Sequence, residues 1–525
     1  FGDITNVEVF ASEVDDIPRL DYTDGGCPVL LTEPQSTNEI TYSEAFGASY
    51  WTKDGASIEG DASTAGSEYL QGDDGTMATV GNWSNGGSAT VTGGYDSGDV
   101  GHTTCLRIQA GDGVNEYAYN LQSNFTTPFV VGNMYRLTGG YKWISKTGDT
   151  GAIGTAASDR LNPFTASVGS WDSFDVYLTA ASATALNIYI STAGGADTDE
   201  ILIDNVSVKE VQGYSSPSAD SPLNSFKLVE DTSTGNHFCY NAQAGDSKTF
   251  SFFAKSSGNQ YVAISYDGGN NFNFFDIING QLGNLADSSR TSKIENYGNG
   301  WFRCSLYNGS PAFGASIWMS KDGINTSYTG DGTSGVYIFG TQLEELPYAT
   351  SYIPTGGGST STRLGEAVNG AGDASTFNST EGVLFAEIAA LSDDSNAEPG
   401  ISLSDGTSDN RIRMLYSPQS ISNSFFVRLD IGGVRIVTFN YTGITTTDIN
   451  KIAFKYKVND FALWINGVKV LTETSGASFT SGTLNQLNFD NTASGISSRF
   501  YGKTSQVQVF NTALSDAELQ ILTTI

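Results

Sequence analysis

At 525 residues the chain is too long for a single hydrophobic core, and roughly 100–200 residues per domain predicts about three or four domains. With 61 Gly, 12% aromatic and only 16% charged residues it lacks the Ala/Glu/Lys/Leu richness of long helices, so an all-β protein is expected. Fifty-seven acidic against 26 basic residues give a net charge of -31, which would repel nucleic-acid phosphates; no apolar run is long enough for a membrane span, and the sequence as it stands opens on no signal peptide.

In chain order, the first patterned stretch is ITYSEAFGASYWTKDGASIEGD at 40–61, which reads as the opening of a β-sandwich. A second opening, EYLQGDDGTMATVGNWSNGG, follows at once from Glu68. Next come MYRLTGGYKW at 134–143, VGSWDSFDVYL around Trp171, LNIYIS from Leu186, and ILIDNVSVKEVQ at 201–212. In the last of these, Ile201, Ile203, Val206 and Val208 keep the period-two rhythm of a half-buried strand across the polar pair Asp204 and Asn205.

The segment SSPSADSPLNSFKLVEDTSTGNHFCY at 215–240 then resumes as though continuing from Asp61. After it come KTFSFFAKSS at 248–257, GNGWFRCSLYNG around Trp301, ASIWMS from Ala315 and VYIFGTQLEEL at 336–346, the same kinds of strand in the same order. Two divergent copies of one β-sandwich account for this repeat. The first copy, 63–214, is expected to be inserted in the second, 46–62 with 215–355, because insertion into a surface loop with neighbouring ends disturbs little.

Past Pro354, residues 356–374 read as a Gly/Ser/Thr linker, and 375–525 as a further sandwich of alternating strands. Asn466-Gly467 between FALWI and VKVLT predicts a two-residue hairpin, since both central positions must accept positive φ. Ser515 and Glu518 make a capping box for a short helix through about Leu522. The four cysteines, Cys27, Cys105, Cys239 and Cys304, form no CxxC pair; Cys239 and Cys304 lie in apolar runs and are expected as buried free thiols.

Three resemblances rest on these residues. The strand ILIDNVSVKEV resembles the last strand of jelly-roll carbohydrate-binding modules, in which an I-D-N-V Asp often helps hold a structural calcium ion; the resemblance implies that role for Asp204, whereas the second copy has Phe339 there, which cannot ligate a hard cation. The run from NKIAFKYKVNDFALWINGVKV through FYGKTSQVQVFNTALSDAELQIL resembles a concanavalin A-like (laminin G-like) domain. Together with PRLDYTDGGCPVLLTEPQSTNEITYSEAF at 18–46 and QLEELPYATSYIPT followed by Thr362 and Arg363, these features resemble structural proteins of tailed bacteriophages and prophages. That resemblance implies a virion-surface location, other virion proteins as partners, a homo-oligomer with a trimer favoured, and residues 1–45 as an extended attachment segment.

Catalysis finds little support. His102 and His237 are the only histidines and neither lies near G-x-S-x-G, while the C-terminal domain has no E-x-D-x-x-E strand, Glu387 standing alone. For calcium, Asp204 is joined by Asp393 and Asp394 in SDDSN, Asp405 and Asp409 in SDGTSD, and Asp267 in DGGNN, although such residues also simply build turns. Trp171 and Trp301 recur in both copies and read as core anchors. Trp83, Tyr141 and Trp143 lack an obvious counterpart and are the better candidates for stacking on sugars, with core packing as the favoured alternative; Trp464, on the other face of its strand from Phe461, Leu463 and Ile465, is a further candidate that either lines the concave side or packs between sheets. The expectation is a non-enzymatic appendage that binds host-surface glycans. Two rivals stay open: a structural decoration without sugar binding, and a secreted adhesin or polysaccharide-active enzyme.

Overall fold

A computed structural model describes residues 19–21, 27–61, 66–111, 115–147, 151–191, 198–218, 223–242, 248–265, 268–286, 290–309, 314–355, 358–393, 399–417, 421–491 and 499–525. The fold is all-β; the helices among the described residues are Asp73–Thr76 and Asp516–Thr523 and short 3-10 turns. Two compact units divide the chain: Thr37–Ser361, and Phe1–Ser36 with Thr362–Ile525.

Within Thr37–Ser361 four large antiparallel sheets make two sandwiches. In the inner one, a sheet ordered Trp171–Thr179, Met134–Ser145, Glu200–Glu210, Cys105–Gln109, Thr90–Tyr95 faces another ordered Leu161–Phe164, Gly151–Gly154, Ala185–Ser191, Glu116–Leu121, Trp83–Gly86. Leu106, Leu137, Ile201 and Ile203 from the first meet Ala118, Ile153, Leu186 and Ile188 from the second in one buried core. The outer sandwich repeats the plan. Lys248–Ser257 lies between Phe302–Asn308 and Gly335–Glu344, and Ala315–Ser320 between Tyr261–Ser265 and Phe238–Asn241, with Phe250, Phe252 and Leu343 packed on Cys239, Val262 and Ile317.

Strands from both sides of the inner sandwich complete the outer one. Ala56–Glu59 pairs with Phe226–Glu230, Ile58 opposite Leu228, and Thr52–Asp54 pairs with Phe238–Asn241. The chain departs and returns side by side, the Asp61 amide donating to the Gln212 carbonyl at 3.1 Å. All four cysteines are free, with Cys105, Cys239 and Cys304 buried.

The register fixes which residues correspond. In the inner sandwich Gly140 stands opposite Asp204 just past a bulge, and in the outer one Phe253 stands opposite Phe339 just past a bulge. Trp171 pairs with Lys142, two residues beyond Gly140. Trp301 immediately precedes the strand Phe302–Asn308, whose first residue pairs with Ala254, one residue beyond Phe253.

In the other unit, a seven-stranded sheet with Glu381–Ala390 near its middle packs on a five-stranded sheet ordered Val434–Thr442, Ser424–Ile431, Arg411–Tyr416, Gly400–Ser404, Gln486–Asn488. Two sequence expectations need correction here. Residues 1–45 were expected to be an extended attachment segment; 1–18 lie outside the described residues, but Val29–Thr32 is a strand of the seven-stranded sheet, Leu30 opposite Thr504 and Thr32 opposite Gly502. Further along, Ile40 and Phe46 are fully buried in the outer sandwich, because apolar side chains in this stretch find sheet and core to cover them. Of the stretch expected as a linker, 356–374, residues 362–374 belong to this unit: the Glu366 carboxylate accepts the Glu33 amide at 2.6 Å, and the Gly370 amide donates to Asn488 Oδ1 at 2.6 Å.

Candidate functional site

The outward face of the inner sandwich's second sheet carries an aromatic row. Residues on one side of a sheet alternate along each strand and stand abreast across it. Tyr117 and Tyr119 on Glu116–Leu121 stand opposite Tyr189 and Asn187 on Ala185–Ser191. These pair onward with Ala152 and Gly154, while Gly86 and Ser84 flank the tyrosines on the far side. Ring centroids step from Tyr119 to Tyr117 at 6.0 Å and from Tyr117 to Tyr189 at 4.9 Å, and the guanidinium carbon of Arg160 lies 3.8 Å over the Tyr189 ring. Small residues on both flanks are required: a Cβ at Gly86 would sit 2.3 Å from the Tyr117 ring. Tyr117 and Tyr119 remain half-buried, their rings partly open to solvent.

The outer sandwich places aromatic rings at the same three positions. Phe238 and Tyr240 stand opposite Trp318 and Ser316, as Tyr117 and Tyr119 stand opposite Tyr189 and Asn187, and Ala263 takes the place of Ala152. Phe238 and Trp318 stack at 3.7 Å with an interplanar angle of 7°. Phe272 meets Trp318 edge-on at 4.9 Å, and the backbone at Gly269 approaches its ring, so this copy is more covered; Trp318 is buried and Tyr240 is exposed. Two copies of the fold thus present an aromatic trio from the same strands on the same face.

None of the platforms expected from sequence occupies these faces. Trp83 is buried and its indole N–H donates to the Asp74 carbonyl at 2.9 Å. Tyr141 and Trp143 are fully buried in the inner core, Trp143 donating to the Phe164 carbonyl at 3.0 Å and the Tyr141 hydroxyl accepting the Ala166 amide at 2.9 Å. Trp464 is buried against Val383, Phe385 and Leu519 of the terminal helix. Period-two alternation put each of these rings on a definite side of its strand, but that side proved to be an interior one.

The calcium candidates are likewise engaged. Asp204 is buried on the inner sandwich's other sheet, its Oδ2 2.8 Å from His102 Nδ1, and the His102 ring stacks on Trp171 at 3.8 Å and 11°. The Trp171 indole donates to Asp99 at 2.9 Å, and Lys142 reaches the same carboxylate at 2.6 Å; these two bonds, Lys142 first, hold Asp99 below the usual carboxylate range. Burial, reinforced by the Asp204 and Asp96 carboxylates, pushes the Cys105 thiol up to about 12, so it stays protonated and inert. Trp171 is therefore half-buried between His102 and Gly140, whereas Trp301 is buried with Phe253 and Phe339, so the core-anchor expectation fits Trp301 alone.

Asp393 accepts from Ser417 Oγ, from the Asn423 amide at 3.0 Å and from Thr446 Oγ1 at 3.1 Å. Burial raises its pKa, yet these bonds outweigh it and hold it below the ordinary value. Asp405 caps its own turn through the Thr407 amide at 2.9 Å and Asn410 Nδ2 at 2.8 Å, and Asp409 continues that turn with its amide on Thr407 Oγ1 at 3.1 Å. Asp267 and Asp394 lie outside the described residues. Among the described residues, no three His, Cys, Asp or Glu side chains gather as a metal-binding group.

Among the described residues, no Ser, Thr or Cys side chain is hydrogen-bonded to a histidine ring nitrogen. His237 is fully buried with its ring nitrogens against the Gly55 and Tyr328 carbonyls, the latter at 3.1 Å. A different concavity lies where the two sandwiches join, a cavity of about 310 Å³ edged by Glu44, Asn133, Met134, Thr179, Glu210 and Phe226.

Neither a protein-family model nor a curated protein matches this chain. Several solved structures do. A Ruminococcus gnavus IT-sialidase CBM40 matches at 19% identity and a TM-score of 0.25, over 30% of this chain and 97% of that one. The tandem CBM22-1-CBM22-2 domain of Paenibacillus barcinonensis Xyn10C matches at 11% identity and a TM-score of 0.24, over 54% and 98%. Mouse laminin alpha1 domains LG4-5 match at 10% identity and a TM-score of 0.20, over 78% and 94%. These three are carbohydrate-binding modules and laminin G domains, β-sandwiches like its own.

Proposed function

We propose that this chain is a non-enzymatic glycan-binding protein whose inner and outer sandwiches each offer an aromatic sheet face to a saccharide. The observation that carries the reading is the repeat of the ring trio, Tyr117, Tyr119 and Tyr189 in one copy and Phe238, Tyr240 and Trp318 in the other, at matching positions of matching strands. Tyr189, Phe238 and Trp318 are buried within these rows, while Tyr117, Tyr119 and Tyr240 keep part of their surface on the solvent side of the sheet. Aromatic faces stack on the C–H faces of pyranose rings, and Asn187 and Ser84 supply hydrogen-bonding groups in the adjacent row.

The resemblance of 18–46, the 342–355 junction and the C-terminal domain to tailed-phage proteins favours display on a virion, in a homo-oligomer with a trimer as first choice, among other virion proteins and facing host-surface glycans. Calcium belongs to this proposal only at Asp204, where the resemblance puts it. The closed Phe238 and Trp318 pair favours a second reading for the outer sandwich alone, a structural role without sugar binding.

The test is a glycan array with the recombinant chain and its Tyr117→Ala and Tyr240→Ala variants. Specific saccharide binding that falls at least tenfold in Tyr117→Ala, with the fold retained, is expected. A folded wild-type chain that binds no saccharide, or binding indifferent to both substitutions, overturns the reading.

A further inference from the structure

The inner sandwich, 63–214, contains three arginines. Two are fully committed to carboxylates: Arg107 meets Glu200 through Nε at 2.6 Å and Nη2 at 2.7 Å, and Arg136 meets Asp175 through Nε at 2.8 Å and Nη2 at 2.6 Å. Such two-pronged pairs are what a planar guanidinium favours when an acid is near. Arg160 stands apart. In a chain of net charge -31 it has no ion pair among the described residues, and its one side-chain hydrogen bond is a long one, 3.4 Å from Nη1 to Asn115 Oδ1.

The neighbouring acid does not serve it. Asp159 is turned into its own loop, where it accepts the Thr155 amide at 2.9 Å, the Ala156 amide at 2.8 Å and the Ala181 amide at 2.9 Å. Arg160 instead sits over Tyr189, 3.8 Å from ring centre to guanidinium carbon, with its Nε buried and without a partner among the described residues. Stacking fixes the plane of the group and strips water from one of its faces, while the terminal nitrogens keep their donors. The result is a preorganised fork next to Tyr117, whose ring centre is 4.9 Å from that of Tyr189.

Resting on the glycan-binding reading of this face, we propose that the inner sandwich selects acidic glycans, with a sugar carboxylate paired end-on to the terminal nitrogens of Arg160 while the sugar ring lies against Tyr117 and Tyr119. A sugar carboxylate matches the fork in geometry and charge, and it makes the ion pair that no acid among the described residues makes with Arg160. The outer copy puts apolar rings, Phe272 and Phe274, around Trp318, so the acid preference belongs to the inner face alone.

Two carboxylate sources are compared by calorimetry on the full chain: sialyllactose against lactose, and oligogalacturonate against its methyl ester. Expected is at least tenfold tighter binding of the acid in one of the two pairs, which names the source, weakening as salt rises. In Arg160→Gln, which keeps a polar but shorter and uncharged side chain, that preference should vanish with the melting temperature within error. Neutral oligosaccharides bound through Tyr117 without any acid preference, or a preference that survives in Arg160→Gln, overturn this inference and leave the glycan-binding reading standing. A folded chain that binds none of the four ligands overturns both.

Discussion

Glu230 shows how a single buried side chain sets the acid limit of the outer sandwich. It is almost completely buried and is met by Lys321 at 2.8 Å, Asn259 Nδ2 at 3.0 Å, the Tyr328 hydroxyl at 2.8 Å and the Asp331 amide at 2.9 Å. Burial alone raises its pKa; the four donors together outweigh that and hold it below the usual glutamate range. A carboxylate depressed by folding stabilises the fold above its unfolded pKa, and that contribution is lost as pH falls through the folded value. Urea denaturation should therefore show stability level from pH 7 to about 5 and falling below 4.5, and Glu230→Gln should flatten that fall. In the inner sandwich a buried contact of another kind joins Asp204 to His102, Oδ2 to Nδ1 at 2.8 Å. Asp204→Ala leaves a ring nitrogen and a buried gap behind, and a loss of about 1–3 kcal/mol in chemical denaturation is expected.

At the scale of elements, turn and cap chemistry was the most readable part of the sequence. Asn466 and Gly467 take φ of 49° and 80° and join Phe461–Ile465 to Val468–Glu473 with Ile465 opposite Val468, as the Asn-Gly pair predicts. Gly467→Ala should cost about 1 kcal/mol, since its Cβ enters the left-handed region and meets Thr524 Oγ1 at 3.2 Å. Ser515 caps Asp516–Thr523, its hydroxyl accepting the Glu518 amide and its own amide donating to the Glu518 carboxylate at 2.8 Å; Ser515→Ala should lower the melting temperature by an amount equivalent to about 1 kcal/mol. The strand repeat was legible too, because alternation and the Trp positions survive in both copies. What alternation does not carry is which side of a strand meets the other sheet and which meets water. Trp143 and Tyr141 have no counterpart in the second copy and so stood out as candidate platforms, and both belong to the core. The signal that was present is subtler: EYAYN with NIYI in one copy matches HFCYN with SIWM in the other, and only strand pairing brings those rings together. The joining of 19–46 to sheets and cores from later in the chain is also a long-range pairing that no local pattern encodes.

For the whole molecule, the nested order of strands makes a definite prediction. Replacing 62–211 with a short Gly/Ser connector should leave an outer sandwich that melts cooperatively, because the two ends to be joined already share the 3.1 Å bond from Asp61 to Gln212. That shortened chain should also lose any acid-glycan preference, which belongs to the inner face. The intact chain should run as a homo-oligomer in light scattering, with three copies expected, and polymeric glycans should be held far more tightly than their single repeat units, since several faces engage one strand of polymer at a high effective concentration.

The same paired departure and return has a mechanical meaning. A domain at the end of a flexible linker hangs by one covalent bond and swivels freely. The inner sandwich hangs by two, side by side, so its rotation is braced and a pull on a captured polymer is divided between two backbones. That load reaches the strands Ala56–Glu59 and Phe226–Glu230 together, and these are hydrogen-bonded to each other at the centre of their grip. A hold of this kind resists torque as well as tension.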